Sequence, residues 1–186
     1  SSQITGVLTQ TSTTSANGLL AKWNPGQSSA TTPYQNWYIG AAVNIDPLIT
    51  AAEAVGANHY AGAALTIKAM GFMMMLDLFG EIPYHQAFTG KYDPDYDNGK
   101  ELFNCAMADL DKALEYFNMD NQNVPLIEGD VWLNGDESKW IKLVYGLKAR
   151  FMLKLSKKAE FDPQGILDCL NKALQSNDDN VTRVTF

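Results

Sequence analysis

The stretch from Ala57 to Tyr84 constrains this chain more than any other. It opens as an apolar run with Ala, Leu, Ile, Met and Phe spread around the whole circumference of a helix, and such a helix has no polar face to give to water. Neighbours are therefore expected to wrap it, and Ala61, Gly62, Ala63, Ala64, Ala69 and Gly71 would let them approach closely. Met70, Met73, Met74 and Met75 read as fillers of irregular core gaps rather than as soft-metal ligands. Asp77 interrupts the run, Gly80 supplies a C-terminal cap and Pro83 prevents the helix from resuming. A carboxylate in so apolar a run needs capping N–H groups or a cation. Arg150 or Lys148 are the expected partners, because unpaired burial of either charge is costly. His59, Lys68 and Asp77 within the run mark it as a core helix rather than a membrane span.

At 186 residues, with 46% apolar and 19% charged residues, one globular domain spanning 1–186 is expected, with 1–32 as a weakly helical or poorly ordered lead-in. The net charge of −7 argues against a nucleic-acid or anionic-membrane surface, since both reward clustered Lys and Arg. Cys105 and Cys169 both fall inside helical patterns and read as buried free thiols. The opening Ser-Ser-Gln has neither the charged nor the apolar region of an export signal.

Other elements follow from spacing. The stretch from Pro25 to Pro33 reads as a loop. From Pro33, Trp37, Tyr38, Ala41, Ile45, Leu48 and Ile49 recur at helical spacing, with Pro47 expected to kink or split the run. Asn98 to Glu101 reads as a capping box. It opens an amphipathic helix with Leu102, Ala106, Leu110, Ala113 and Phe117 on its inner stripe. A long helix is expected from about Ser138 to Ala159, anchored by Trp140. Asp162-Pro163 starts another, because Asp caps well and Pro suits a first turn. Val181 to Phe186 alternates like a strand. The whole reads as all-α: antiparallel helix hairpins, the one from Trp140 to Leu174 tetratricopeptide-like, with long irregular loops at 81–97 and 119–137.

Three blocks taken together resemble the SusD/RagB family of outer-membrane nutrient-binding lipoproteins, in its SusD-like branch. They are the Asp77-Leu-Phe-Gly-Glu-Ile-Pro-Tyr84 ending, Tyr96-Asp97 followed by Ala108 to Ala113, and Asn134-Gly-Asp136 followed by Lys139-Trp140 and Leu147 to Arg150. The resemblance covers about Trp37 to Ser156. It places Asp77, Gly80, Pro83, Trp140, Lys148 and Arg150 in a structural motif, and it implies tetratricopeptide-like hairpins carrying an irregular ligand-binding region. It also implies a cell-surface position in the outer membrane, through a lipid anchor that this sequence lacks, and a TonB-dependent transporter of the SusC type as partner. The ligand would be an oligosaccharide, or in some members a peptide. The family's C-terminal portion is expected to follow where this sequence ends.

Sugars are held by aromatic faces plus directional hydrogen bonds, and loops on a rigid scaffold are where such residues belong. Tyr92, Tyr96 and Trp132 are accordingly the candidate stacking residues, with Asn134 as polar companion. Their plainer reading, and the commoner one for any single loop aromatic, is as anchors of the loops onto the helices. The acids from Asp93 to Asp97 lack the glycine and bidentate glutamate of a helix–loop–helix calcium site and read as a solvated turn. His59 and His85 have no cysteine or serine neighbour in a nucleophile setting. Asp77 and Glu81 are the obvious pair for a glycosidase, but Asp77 falls in the structural motif. The expectation is a binding protein with no enzymatic activity, no cofactor and no metal. The alternative is a helical-repeat module for protein–protein interaction.

Overall fold

The computed structural model describes residues 28–121 and 124–179. They fall into two units, one ending at Val43 and one starting at Asn44, and each is taken by itself. The expected strand at Val181–Phe186 and the patch in the first 27 residues lie outside the described residues.

In the first unit, the segment expected as a loop is helical: α1 spans Ser28–Tyr34 with Pro33 inside it. Proline's fixed φ suits a helix, and so late in a short one it removes a single backbone donor. The chain then widens into a π turn at Gln35–Ile39, and Tyr34 stacks on Tyr38 with ring centroids 5.3 Å apart.

The second unit is built from α2 (Ile45–Ala54), α3 (Asn58–Phe79), α4 (Gly99–Phe117), α5 (Glu137–Leu153) and α6 (Pro163–Lys172). Pro47 does split the run around it. A 3-10 turn at Ala42–Asn44 precedes α2, and Pro47 sits in α2's first turn, where a missing N–H costs nothing.

Packing makes α3 the spine. Gly62 near its start lies against the Phe117 ring at the end of α4, where an added Cβ would sit 3.0 Å from the ring, and Leu76 near its end lies against Gly99 at the start of α4. The pair is therefore antiparallel. The same reasoning orders α5 and α6: Gly146 faces Ala173, while Met152 reaches Gly165. The hairpin expected from Trp140 to Leu174 is present. No named strand occurs among the described residues, only the isolated antiparallel bridge between Ile82 and Asp97.

Two expectations about the helices need correction. Helix α3 has no exposed residue before Met74, although Asn58, His59, Tyr60, Ile67, Lys68 and Met70 are only partly buried. Beyond Met73, one stripe opens, with Met74 56% and Leu78 59% exposed, so Met74 is no core filler although Met73 and Met75 are. By length and composition alone α3 suits a membrane span, but α2, α4 and α5 pack against it. Helix α5 stops at Leu153 rather than near Ala159, and Lys154 to Glu160 form turns. That segment has three lysines and only Leu155 and Ala159 as apolar residues, too few to give an inner face that holds further helical turns.

Electrostatic partners also differ from expectation. Asp77 is paired with a cation, but the cation is Lys154, and both remain partly exposed. Lys148 pairs instead with Asp111, and Arg150 is exposed. Helix geometry explains this: Lys154 stands at the C-terminal end of α5, beside the end of α3, whereas Lys148 lies nearly two turns earlier. The Gly80 cap is as expected, with φ of 76° and its N–H donating to the Leu76 carbonyl at 2.9 Å. Pro83 is buried beyond it.

Candidate functional site

Two irregular segments carry the candidate binding residues, and each is held by one carboxylate. The 81–97 segment leaves α3 at Gly80 and returns at Asn98, the N-cap of α4. The Asn98 side chain accepts the Glu101 N–H at 3.0 Å, and its amide reaches Glu101 Oε2 at 3.3 Å. The forward half of the capping box therefore forms on the backbone, and its return half closes side chain to side chain.

Asp97 clamps the base of this segment. Its Oδ2 accepts the Tyr84 N–H at 2.7 Å and the His85 N–H at 3.1 Å, and its Oδ1 lies 2.7 Å from His85 Nδ1. Burial alone would raise its pKa, but these bonds outweigh burial and hold it below the usual carboxylate range. Tyr84 fixes the segment a second time. Its ring meets Phe72 edge-on at 4.7 Å, and its hydroxyl donates to Asp109 at 2.9 Å. Burial, with the Asp109 charge, pushes the Tyr84 hydroxyl well above its ordinary value. Burial likewise raises Asp109, against the pull of Lys68 and the Tyr84 hydroxyl.

Further out, Gln86, Lys91 and Asp95 tie the tip together. Gln86 Nε2 donates to Asp95 at 2.7 Å, Lys91 donates to Gln86 Oε1 at 2.8 Å and Asp95 N–H donates to the same oxygen at 3.0 Å. Tyr92 and Tyr96 flank that knot, Tyr92 wholly exposed and Tyr96 61% exposed.

The 118–136 segment behaves differently. Its clamp is Asp130, whose two oxygens accept the N–H groups of Trp132 at 2.8 Å, Leu133 at 3.0 Å and Gly135 at 2.9 Å, and the Trp140 indole N–H at 2.7 Å. Burial opposes ionisation here too, yet the four donors win and the pKa is lowered. Trp132 lies flat on Trp140, with centroids 6.1 Å apart and planes 14° apart, and Trp140 in turn lies on Phe117 at 6.2 Å. Trp132 is thus half-buried in an aromatic pile that caps the start of α3. Asn134 is exposed with φ of 56°, and Gly135 follows at 75°. A Cβ on Gly135 would stand 2.6 Å from the Ile127 backbone, which explains the Asn-Gly pair chemically. Asp136 caps α5 through the Ser138 and Lys139 N–H groups.

The four candidate residues do not gather into one pocket. Trp132 borders a cleft of about 230 Å³ with Tyr60, Ala63, Ala64 and Asp130, while Tyr92 and Tyr96 project from the other segment. A larger groove of about 680 Å³ runs between the ends of α3 and α5 and the start of α4. Its floor is Met73, Leu76, Phe103 and Leu155, and its rim carries Asp77, Lys100, Lys154, Lys158 and Glu160. Sequence reading did not find this groove, because its wall from Lys154 to Glu160 was expected to be helix.

The fold also changes the standing of His85. Sequence gave it no thiol neighbour, yet Cys105 Sγ lies 3.8 Å from its Nε2. Both cysteines are free and only half-buried. Burial and the carboxylates of Asp109, Glu101 and Asp97 raise the Cys105 thiol pKa, the opposite of what a nucleophile needs. The signal that could have suggested this place is the spacing of Glu101, Cys105 and Asp109, one above another on α4.

Comparison with known proteins agrees with this architecture. A SusD/RagB family protein from Bacteroides thetaiotaomicron superposes with a TM-score of 0.68 at 27% identity, over 83% of this chain and 32% of its own. A chitin-binding protein gives 0.74 at 27% identity, over 86% and 35%. A SusD homolog from Bacteroides fragilis gives 0.63 at 27% identity, over 77% and 32%. The chain thus spans about a third of the length of these relatives. No curated protein matches it. The family model described as starch-binding and associating with the outer membrane matches residues 1–185, and the chain accordingly belongs to the SusD-like family.

Proposed function

We propose that this chain is the helical part of a cell-surface protein that captures an oligosaccharide and leaves it chemically unchanged. The observation that carries this reading is the placement of Tyr92 and Tyr96. A tyrosine wholly in water adds nothing to folding, and the segment that presents it is tied by the Gln86–Lys91–Asp95 knot and the Asp97 clamp. A tyrosine on a tied backbone has only two side-chain torsions to lose when a sugar stacks on its ring. The family description and the chitin-binding relative support a glycan as the ligand class. Within this reading the protein is lipid-anchored at the outer-membrane surface and delivers its ligand to a TonB-dependent transporter of the SusC type.

Titration calorimetry with malto- and chito-oligosaccharides, and with a peptide as control, tests it. Tyr92→Ala and Tyr96→Ala should each weaken glycan binding about tenfold, roughly 1.4 kcal/mol, with the helical circular dichroism unchanged. Unaltered affinity in both variants, or binding of the peptide alone, would refute the assignment. Co-purification with the transporter tests the partner.

A further inference from the structure

Side chains of the types that ligate metals meet from two elements where the 81–97 segment returns to α4. His85, Asp97 and Glu101 bring ligand atoms within 4.8 Å of one another, and Cys105 adds a sulfur 3.8 Å from His85 Nε2. We propose that His85 Nε2 and Cys105 Sγ form the core of a site for a thiophilic divalent cation of the zinc class, with Asp97 as the positioning residue behind His85 and Glu101 as a third donor that swings in from the Nδ1 side.

The arrangement fits in three respects. First, Asp97 holds His85 by both its backbone N–H and its ring Nδ1, so Nδ1 carries the proton and the Nε2 lone pair faces the thiol. A carboxylate behind a ligating histidine fixes the tautomer and the ring orientation in this way. Secondly, the spacing suits the ion: a zinc–sulfur bond of ~2.3 Å and a zinc–nitrogen bond of ~2.0 Å at a near-tetrahedral angle separate the two ligand atoms by ~3.5 Å. Thirdly, Glu101 stands one turn before Cys105 on the same side of α4; its Oε1 lies 3.7 Å from His85 Nδ1, and its half-exposed side chain can swing from there towards the Nε2 side.

Access and charge favour the same ion. The side chains of His85 and Glu101 are 48% and 49% exposed, so an ion can enter from water and keep a water ligand. Asp97 and Glu101 set two carboxylates beside the His85 ring, and a bound cation offsets that negative charge. Sulfur and imidazole donors select zinc-like ions over calcium or magnesium. Binding replaces the thiol proton, which leaves to solvent, and the sulfur binds as thiolate. The bound ion staples the 81–97 segment to α4, a role independent of the glycan reading.

Cobalt(II), as a spectroscopic stand-in for zinc, tests the proposal on the full chain. One equivalent should bind with a thiolate-to-cobalt charge-transfer band and be displaced by zinc. Cys105→Ser should abolish the band with helicity unchanged, Cys169→Ser should keep it, and His85→Ala should weaken binding at least tenfold. A missing band in the parent chain, a band that survives Cys105→Ser, or equal affinity in the His85→Ala variant would overturn it.

Discussion

The 81–97 and 118–136 segments solve one problem in opposite ways. Each is irregular, each leaves a helix and leads into the next, and each hangs on an aspartate with its pKa depressed by hydrogen bonds. In the second segment the aromatic side chain is spent inward, since Trp132 covers Trp140 and the Asp130 clamp holds both. In the first, the anchoring falls to Tyr84, and Tyr92 and Tyr96 are left in water. Fixing an irregular segment thus needs one well-placed carboxylate and one buried ring. Aromatics beyond that number are available for other work.

The contrast is most directly broken at the clamps. Asp130→Ala leaves three backbone N–H groups and an indole N–H without their acceptor, and should cost about 3 kcal/mol of stability by chemical denaturation. Gly135→Ala, forced into a left-handed conformation against the Ile127 backbone, should cost about 2 kcal/mol on the same measurement. If either variant is as stable as the parent chain, the second segment is not rigid for the reason given.

Acid sharpens the comparison. Both clamps have folded pKa values below the unfolded value of about 3.9, so their stabilisation is present above that pH and is lost as pH falls towards and through the folded values. Denaturant midpoints should therefore drop below about pH 4. Asp97→Asn and Asp130→Asn should each flatten part of that drop, and a profile unchanged in both would contradict the clamp assignment. Asp109 works with the opposite sign: its raised pKa disfavours the ionised folded form, so its unfavourable contribution eases as pH falls through the folded value.

The smallest effects separate the aromatics themselves. Trp132→Ala removes one layer of the pile and should cost about 1–2 kcal/mol. Tyr92→Ala should change stability by less than about 0.5 kcal/mol, the range of surface substitutions. Equal losses at the two positions would erase the distinction between the segments.

Helix α3 and its exit were readable because burial along most of its length leaves an unmistakable apolar run, and Gly80 with Pro83 gives a local stop signal. The hairpin partners were readable from apolar spacing, and Asp162-Pro163 from cap chemistry. What escaped was every interaction joining residues far apart in sequence. Nothing near Asp77 distinguishes Lys154 from Lys148, since the choice depends on where α5 ends. Trp132 and Tyr92 look alike as loop aromatics, and only the position of Asp130 relative to Trp140 sends one inward. The meeting of His85 with Cys105 depends on how the 81–97 segment folds back onto α4, which no spacing rule encodes.

The bridge between Ile82 and Asp97 has a consequence for how such a protein diversifies. It pins the two feet of the 81–97 segment together, so the stretch between them is already closed at its base. Lengthening a closed segment adds only about 0.6 kcal/mol per doubling. Residues between Gln86 and Asp95 can therefore be exchanged or multiplied while the helices beneath stay as they are, and new ligand preferences can arise there without refolding the body that carries them.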